Sequence, residues 1–209
     1  MLAAPLIDWG FATAMRTGET ESGDLHVVRL VGPDVLVAVV DGLGHGAEAA
    51  AAARTAVAVV SRHAGDPLPR LLQRCHEALV GSRGVVMSLA RFDRAAATMT
   101  WLGVGNVEGV LLYADPGSRP ARAALLTRGG IVGSELPPLR PDVLSVAPRD
   151  TLIFATDGVA TPFADDLPGD ASPQDLAQRI LARHGKGSDD ALVLVARYVG
   201  GAGDAGGGP

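Results

Sequence analysis

The chain has 209 residues, of which 47% are hydrophobic and 20% charged, and its formal net charge is −5. This composition fits one well-packed soluble domain and gives no electrostatic reason to expect nucleic acid or an anionic membrane surface as partner. Cys75 is the sole cysteine, which excludes an intrachain disulfide and a cysteine metal cluster.

No basic-then-apolar leader opens the sequence, so the cytoplasm is the expected location. The longest apolar window, residues 47–60, contains Glu48 and Arg54 and is too short to span a bilayer. Residues 6–15 read as a first strand. Residues 24–31 and 34–41 read as a hairpin about Gly32-Pro33, and the second of these strands runs into Asp41-Gly42-Leu43-Gly44-His45-Gly46. Residues 47–63 follow as a helix that is apolar nearly all round and is therefore expected to be largely buried. Pro67 opens a second helix that runs to about Val80 and stops at Gly81. On it Cys75 reads as part of a buried face and His76 as a structural residue.

Residues 85–92 and 97–104 read as a hairpin turning at 93–96, and Gly105-Asn106 as a turn into a strand over 107–113. Shorter strands are expected near 123–127 and 142–147, with Asp150 as a turn acid. Residues 151–156 form an apolar strand ending in Asp157-Gly158. A helix runs from Pro173 to about Arg183, and a last strand over 191–199 is entered through Asp189-Asp190. Residues 200–209, nearly all Gly, Ala and Asp, are expected to be disordered. Nine or ten strands with short connections and three helices imply antiparallel sheets in an α+β layered fold, a single domain over residues 1–199.

Four acids stand out. Antiparallel pairing about Gly32-Pro33 places residues whose numbers sum to about 65 opposite each other, which makes Asp24 and Asp41 cross-strand neighbours. Directly opposed like charges destabilise a sheet, and a divalent cation between them would turn repulsion into ligation. Asp157 and Asp189 have the same setting, each beside glycine or at the end of an apolar strand. An all-oxygen, carboxylate-rich set favours Mg²⁺ or Mn²⁺ over Zn²⁺. Any one Asp-Gly pair is an ordinary turn; the four together point to metal binding.

Ser22-Gly23-Asp24, Val40-Asp41-Gly42-Leu43-Gly44-His45-Gly46, Ala155-Thr156-Asp157-Gly158 and Ser188-Asp189-Asp190 occur in the order found in the metal-dependent PPM/PP2C serine/threonine phosphatases. The chain most resembles their SpoIIE-like branch. Gln73-Arg74-Cys75-His76, Arg83-Gly84 and Val104-Gly105-Asn106-Val107 extend the resemblance toward the small stand-alone RsbX-type phosphatases of stressosome signalling. The resemblance runs from about residue 20 to 199. It implies two central antiparallel sheets packed as a sandwich with helices on the outer faces, the PP2C-like αββα fold.

The same resemblance implies two Mn²⁺ or Mg²⁺ ions. Asp41 would bridge them, the Gly42 carbonyl would add a ligand, Asp157 and Asp189 would hold one ion, and Asp24 would contact the other directly or through water. A metal-bound hydroxide would then attack phosphorus in line. The implied substrates are phosphoserine or phosphothreonine on STAS-domain regulators of a stressosome or partner-switching pathway. Leu43 stands where many eukaryotic members carry a His. His45 is either a proton donor that reaches the site or an exposed turn residue, and no Arg matches the family's phosphate-binding Arg. His26 shares the Asp24 strand face by period two and is a lesser candidate for reaching the metals.

Two other classes compete. An ATP-binding module of the anti-sigma kinase kind needs a glycine two residues after its acid, where this chain has Leu43, and an Asn-bearing helix upstream, where it reads as strands. A catalytically inactive binding protein on the phosphatase scaffold is disfavoured by retention of all four acids.

Overall fold

The computed structural model describes residues 5–115, 117, 120–165, 167 and 169–200. The Gly-rich tail lies outside the described residues from position 201 onward. Strands β1 (Ile7–Ala14), β2 (Asp24–Val31) and β3 (Asp34–Gly42) lead to helices α1 (Gly46–Arg62) and α2 (Leu68–Leu79). Strands β4 (Val85–Asp93), β5 (Thr98–Val104), β6 (Glu108–Leu112), β7 (Arg122–Leu125), β8 (Asp142–Ser145) and β9 (Thr151–Ala155) follow. Helix α3 (Pro173–His184) and strand β10 (Ala191–Tyr198) complete the order. The described residues before α1 hold three strands joined by turns and loops and no helix, so the upstream helix required by an anti-sigma kinase module is absent from them.

Two five-stranded antiparallel sheets form, one in the order β1-β10-β9-β6-β7 and the other β2-β3-β4-β5-β8. Their facing sides share one core, in which Val35, Val37, Val39 and Phe92 meet Leu152, Phe154, Leu192 and Leu194. The odd-numbered residues of β3 point into that core. The even-numbered Leu36, Ala38 and Val40 point outward onto α1 and α2. β3 is thus buried on both faces, which is why its sequence is a continuous apolar run and does not alternate. On the other sheet Ile153, Val193 and Val195 pack outward against Leu176, Ala177 and Ile180 of α3. The result is four layers, helix–sheet–sheet–helix, as the resemblance implied.

One expectation fails. Helix α1 is not buried all round: Ala49, Ala53, Ala56 and Val60 face the sheet, while Ala47, Glu48, Ala51, Arg54 and Thr55 are exposed. Alanine has no bulk to hide and is the best helix former, so an outer face of Ala and charged residues costs little. Among the described residues no helix is long and apolar enough to cross a membrane.

Candidate active site

Asp24 and Asp41 are direct cross-strand partners in the β2–β3 ladder. Asp41 continues the inward face of β3 past Val39, and so points into the space where the two sheets end together. Asp24 lies deeper and is only 4% exposed. Its Oδ2 accepts a 2.7 Å hydrogen bond from Thr156 Oγ1, which crosses from the other sheet. The same Thr156 oxygen accepts from the Leu192 backbone N–H at 2.8 Å. Thr156 thereby pins the end of β9 to both β2 and β10.

Asp157 follows Thr156 and is exposed at the mouth, where its Oδ2 accepts from Asn106 Nδ2 at 2.9 Å. Lys186 Nζ donates to the Asp157 backbone carbonyl at 2.5 Å. Asp189 is partly exposed beside it. Close backbone approach brings the two loops together: a Cβ on Gly158 would collide with the Asp190 carbonyl. A second close approach sets α1 against the Asp41 strand end, because a Cβ on Gly42 would collide with the Ala49 carbonyl oxygen. These are two positions where only glycine fits.

Asp190 serves differently from Asp189. It is buried, and its two carboxylate oxygens accept from the backbone N–H groups of Arg16 at 2.8 Å and Gly23 at 2.7 Å. It ties the segment entering β2 to the start of β10 and holds Arg16 at the cleft. The cleft has a volume of about 520 Å³ and is lined by Arg16, Asp41, Leu43, His45, Asn106, Asp157 and Asp189 among others. His45 stands at the N-terminus of α1 with Nδ1 2.6 Å from Glu19 Oε1.

The electrostatics are those of crowded acids. Burial, then the charge of Asp24 and the further charges of Asp157, Asp189 and Asp190, push the Asp41 carboxyl up to about 8. Burial also pushes Asp24 up to about 7, with Asp190, Asp157 and Asp189 adding to the rise and the Thr156 hydrogen bond opposing it. Among the described residues no three His, Cys, Asp or Glu side chains stand as a ready-made cage around one point. The acids are instead an opposed pair, Asp24 buried and Asp41 partly exposed to the cleft, with Asp157 and Asp189 at the mouth. The donor set nevertheless fits a hard divalent cation: it is all oxygen, and its mutual repulsion is what a cation would relieve.

Several sequence assignments change. His26 does share the Asp24 face, but its ring packs on Phe11 at 4.1 Å and Trp9 at 5.9 Å and makes no bond to the acids. Asn106 is more than a turn residue, since its amide orients Asp157. Arg16 and Thr156 were missed: Arg16 lies in an unremarkable loop, and Thr156 is an ordinary strand-end hydroxyl until the sheets are stacked. His76 is structural, with Nδ1 accepting from the Gly133 N–H at 3.1 Å. Asp150 is a buried turn clamp that accepts from Ala114 N and Ala147 N. Cys75 is fully buried, and burial raises its thiol to about 12.

Residues 32–199 match the family described as Stage II sporulation protein E (SpoIIE). The chain is 26% identical over 96 residues to the phosphoserine phosphatase RsbX of Bacillus subtilis (strain 168), a stretch covering 46% of this chain and 48% of RsbX. It therefore spans about half the length of that curated relative. A solved structure from work on the bacterial stressosome, described as a modular system adapted to control secondary messenger signaling, superposes with a TM-score of 0.82 at 31% identity. That superposition covers 91% of this chain and 99% of the other. A crystal structure of RsbX in complex with magnesium superposes with a TM-score of 0.81 over 92% of this chain and 95% of RsbX. At 20% identity that second likeness is one of fold.

Proposed function

The chain belongs to the SpoIIE family of PP2C-type phosphatase domains, and on that premise we propose that it is a divalent-metal-dependent phosphoprotein phosphatase acting in the cytoplasm on phosphoserine or phosphothreonine. Its proposed substrates are phosphorylated STAS-domain proteins of a stressosome or partner-switching pathway, a reading supported by the likeness to RsbX and to a stressosome structure. The observation that carries the chemistry is the opposed pair Asp24 and Asp41 at the inner end of a polar cleft.

In this reading Asp24, Asp41, Asp157, Asp189 and the Gly42 carbonyl hold two Mn²⁺ or Mg²⁺ ions, which when bound make a water acidic and neutralise phosphoryl oxygens. The chain's own residues supply the rest. Thr156 fixes the Asp24 carboxylate and Asn106 fixes that of Asp157, so neither acid reorganises when the substrate arrives. Arg16, held through its backbone by Asp190, lines the cleft together with Asp41, Asp157 and Asp189 and takes the role of phosphoryl-oxygen partner. His45, hydrogen-bonded at Nδ1 to Glu19, offers Nε2 as the proton donor for the departing serine or threonine oxygen. The test is incubation with singly phosphorylated STAS-domain proteins and Mn²⁺, read by intact mass. Loss of one phosphoryl group supports the substrate class, and retention of phosphate on every such protein, alongside turnover of other phosphoproteins, would overturn it.

A further inference from the structure

At the opposite end of the β9–β10 pair from the acids lies a second cavity, of about 340 Å³. Arg197 pairs with Thr151 at this end, whereas Val193 pairs with Ala155 at the acid end, so roughly 13 Å of strand separates the two pairs. Two arginines line it, Arg149 and Arg197, with an apolar wall that includes Leu112, Leu167 and Leu176.

The arginines are held in place but not neutralised. Arg197 Nε donates to Thr151 Oγ1 at 3.2 Å, Thr151 Oγ1 donates to the Arg149 carbonyl at 3.0 Å, and Arg149 Nη2 donates to the Gly169 carbonyl at 3.1 Å. No carboxylate forms an ion pair with either guanidinium within 4.0 Å among the described residues. Asp8, the cross-strand partner of Arg197, acts on it only from a distance. Burial, and after it the charge of Arg149, lower the Arg197 pKa.

The backbone adds an independent observation. Ala147, Pro148, Arg149 and Asp150 form a turn closed by Asp150 N–H to the Ala147 carbonyl at 3.0 Å. Arg149 takes φ +77° in its third position, which ordinarily falls to Gly or Asn. Buried Asp150 locks this turn by accepting from Ala147 and Ala114, and Arg149 N–H donates to the Tyr198 carbonyl at 2.7 Å. A long cationic side chain is thus kept where glycine would be unstrained, and it is aimed at the cavity beside a second one. Strain retained at one residue points to a use for its side chain.

We infer that this cavity binds a phosphate monoester, its dianion between Arg149 and Arg197 and its organic part against the Leu112–Leu176 wall. Two guanidiniums match a doubly charged phosphate in charge and in donor geometry. The site is distinct from the proposed reaction site and needs no metal. The ester can come free in solution or on a phosphorylated protein segment.

Calorimetric titration of the full chain with phenylphosphonate, which cannot be hydrolysed, tests the inference. With chelator present, one equivalent should bind. Arg149→Gly and Arg197→Gln should each weaken binding tenfold or more, while Asp41→Asn leaves it unchanged. Arg149→Gly should also raise Tm, since glycine relieves the φ +77° strain, so its loss of binding is not a loss of fold. Free phosphoserine and a phosphoserine peptide then separate the two sources: equal affinity identifies a free ester, and tighter peptide binding identifies a protein segment. Absence of binding at millimolar phenylphosphonate, or undiminished binding in both arginine variants, would overturn the inference.

Discussion

Asp24 and Asp41 face each other across the β2–β3 ladder, seventeen positions apart in sequence and paired in register. Burial, with the charges of the neighbouring acids adding to it, keeps protons on both to unusually high pH. The folded chain without divalent ions therefore binds more protons than the unfolded chain from about pH 4 upward. The sign follows from linkage: that contribution to stability is complete below about pH 4 and is lost as pH rises through about 7 for Asp24 and about 8 for Asp41. In chelator, Tm should fall across this window. Asp41→Asn should flatten the fall, and saturating Mn²⁺ should raise Tm at pH 8 for the wild type but much less for the variant. Differential scanning fluorimetry from pH 4 to 9 reads both.

Thr156 is the bolt between the sheets. Thr156→Val keeps the shape but strands the buried Asp24 oxygen and the Leu192 N–H. The expected cost is about 1–3 kcal/mol for each group left unsatisfied, measured by urea denaturation in chelator. Thr156→Ser, which keeps the hydroxyl, should recover most of it.

Gly158 controls the approach of the Asp157 loop to the Asp189 loop. Gly158→Ala should force them apart, costing about 1–3 kcal/mol through overpacking and weakening the Mn²⁺ response of Tm and turnover together. Gly65→Ala, at a position where an added Cβ meets nothing within 4 Å, is the control and should be near neutral.

His45 is separable from the acids proposed to hold metal by choice of leaving group. p-Nitrophenolate departs without a proton, whereas a serine alkoxide needs one. His45→Ala should leave p-nitrophenyl phosphate turnover close to wild type and slow hydrolysis of a phosphoserine peptide by roughly 10²–10⁴-fold. Glu19→Gln, which removes the carboxylate partner of Nδ1, should show a smaller loss in the same direction for the peptide alone. Equal losses on both substrates would remove His45 from the role of proton donor.

Much of this architecture is legible in the chain because it is locally encoded. A Gly-Pro turn between two apolar runs fixes the centre of the β2–β3 hairpin, and the Asp24–Asp41 pairing follows from counting outward. The double-sided burial of β3 is visible as an unbroken apolar run, and Pro67, Gly81 and Pro173 mark helix ends. What escaped are contacts that depend on how the two sheets stack. Thr156 reaches Asp24 across 132 positions, and Asp190 turns away from the cleft to hold Arg16 and Gly23. Neither follows from period or spacing. His26 shows the same limit in reverse: strand period places it on the acid face, but neighbouring Phe11 and Trp9 of β1 take its ring. The alanine-rich composition of α1 hid which face was outside, since alanine suits either environment.

The measurement that bears most directly on the central claim is hydrolysis of p-nitrophenyl phosphate by wild type and Asp41→Asn, each with Mn²⁺, with Mg²⁺ and with chelator. The account predicts turnover by wild type only with added ion, and a loss in Asp41→Asn that excess ion does not restore. Turnover by wild type in chelator, or undiminished turnover by Asp41→Asn, would contradict it.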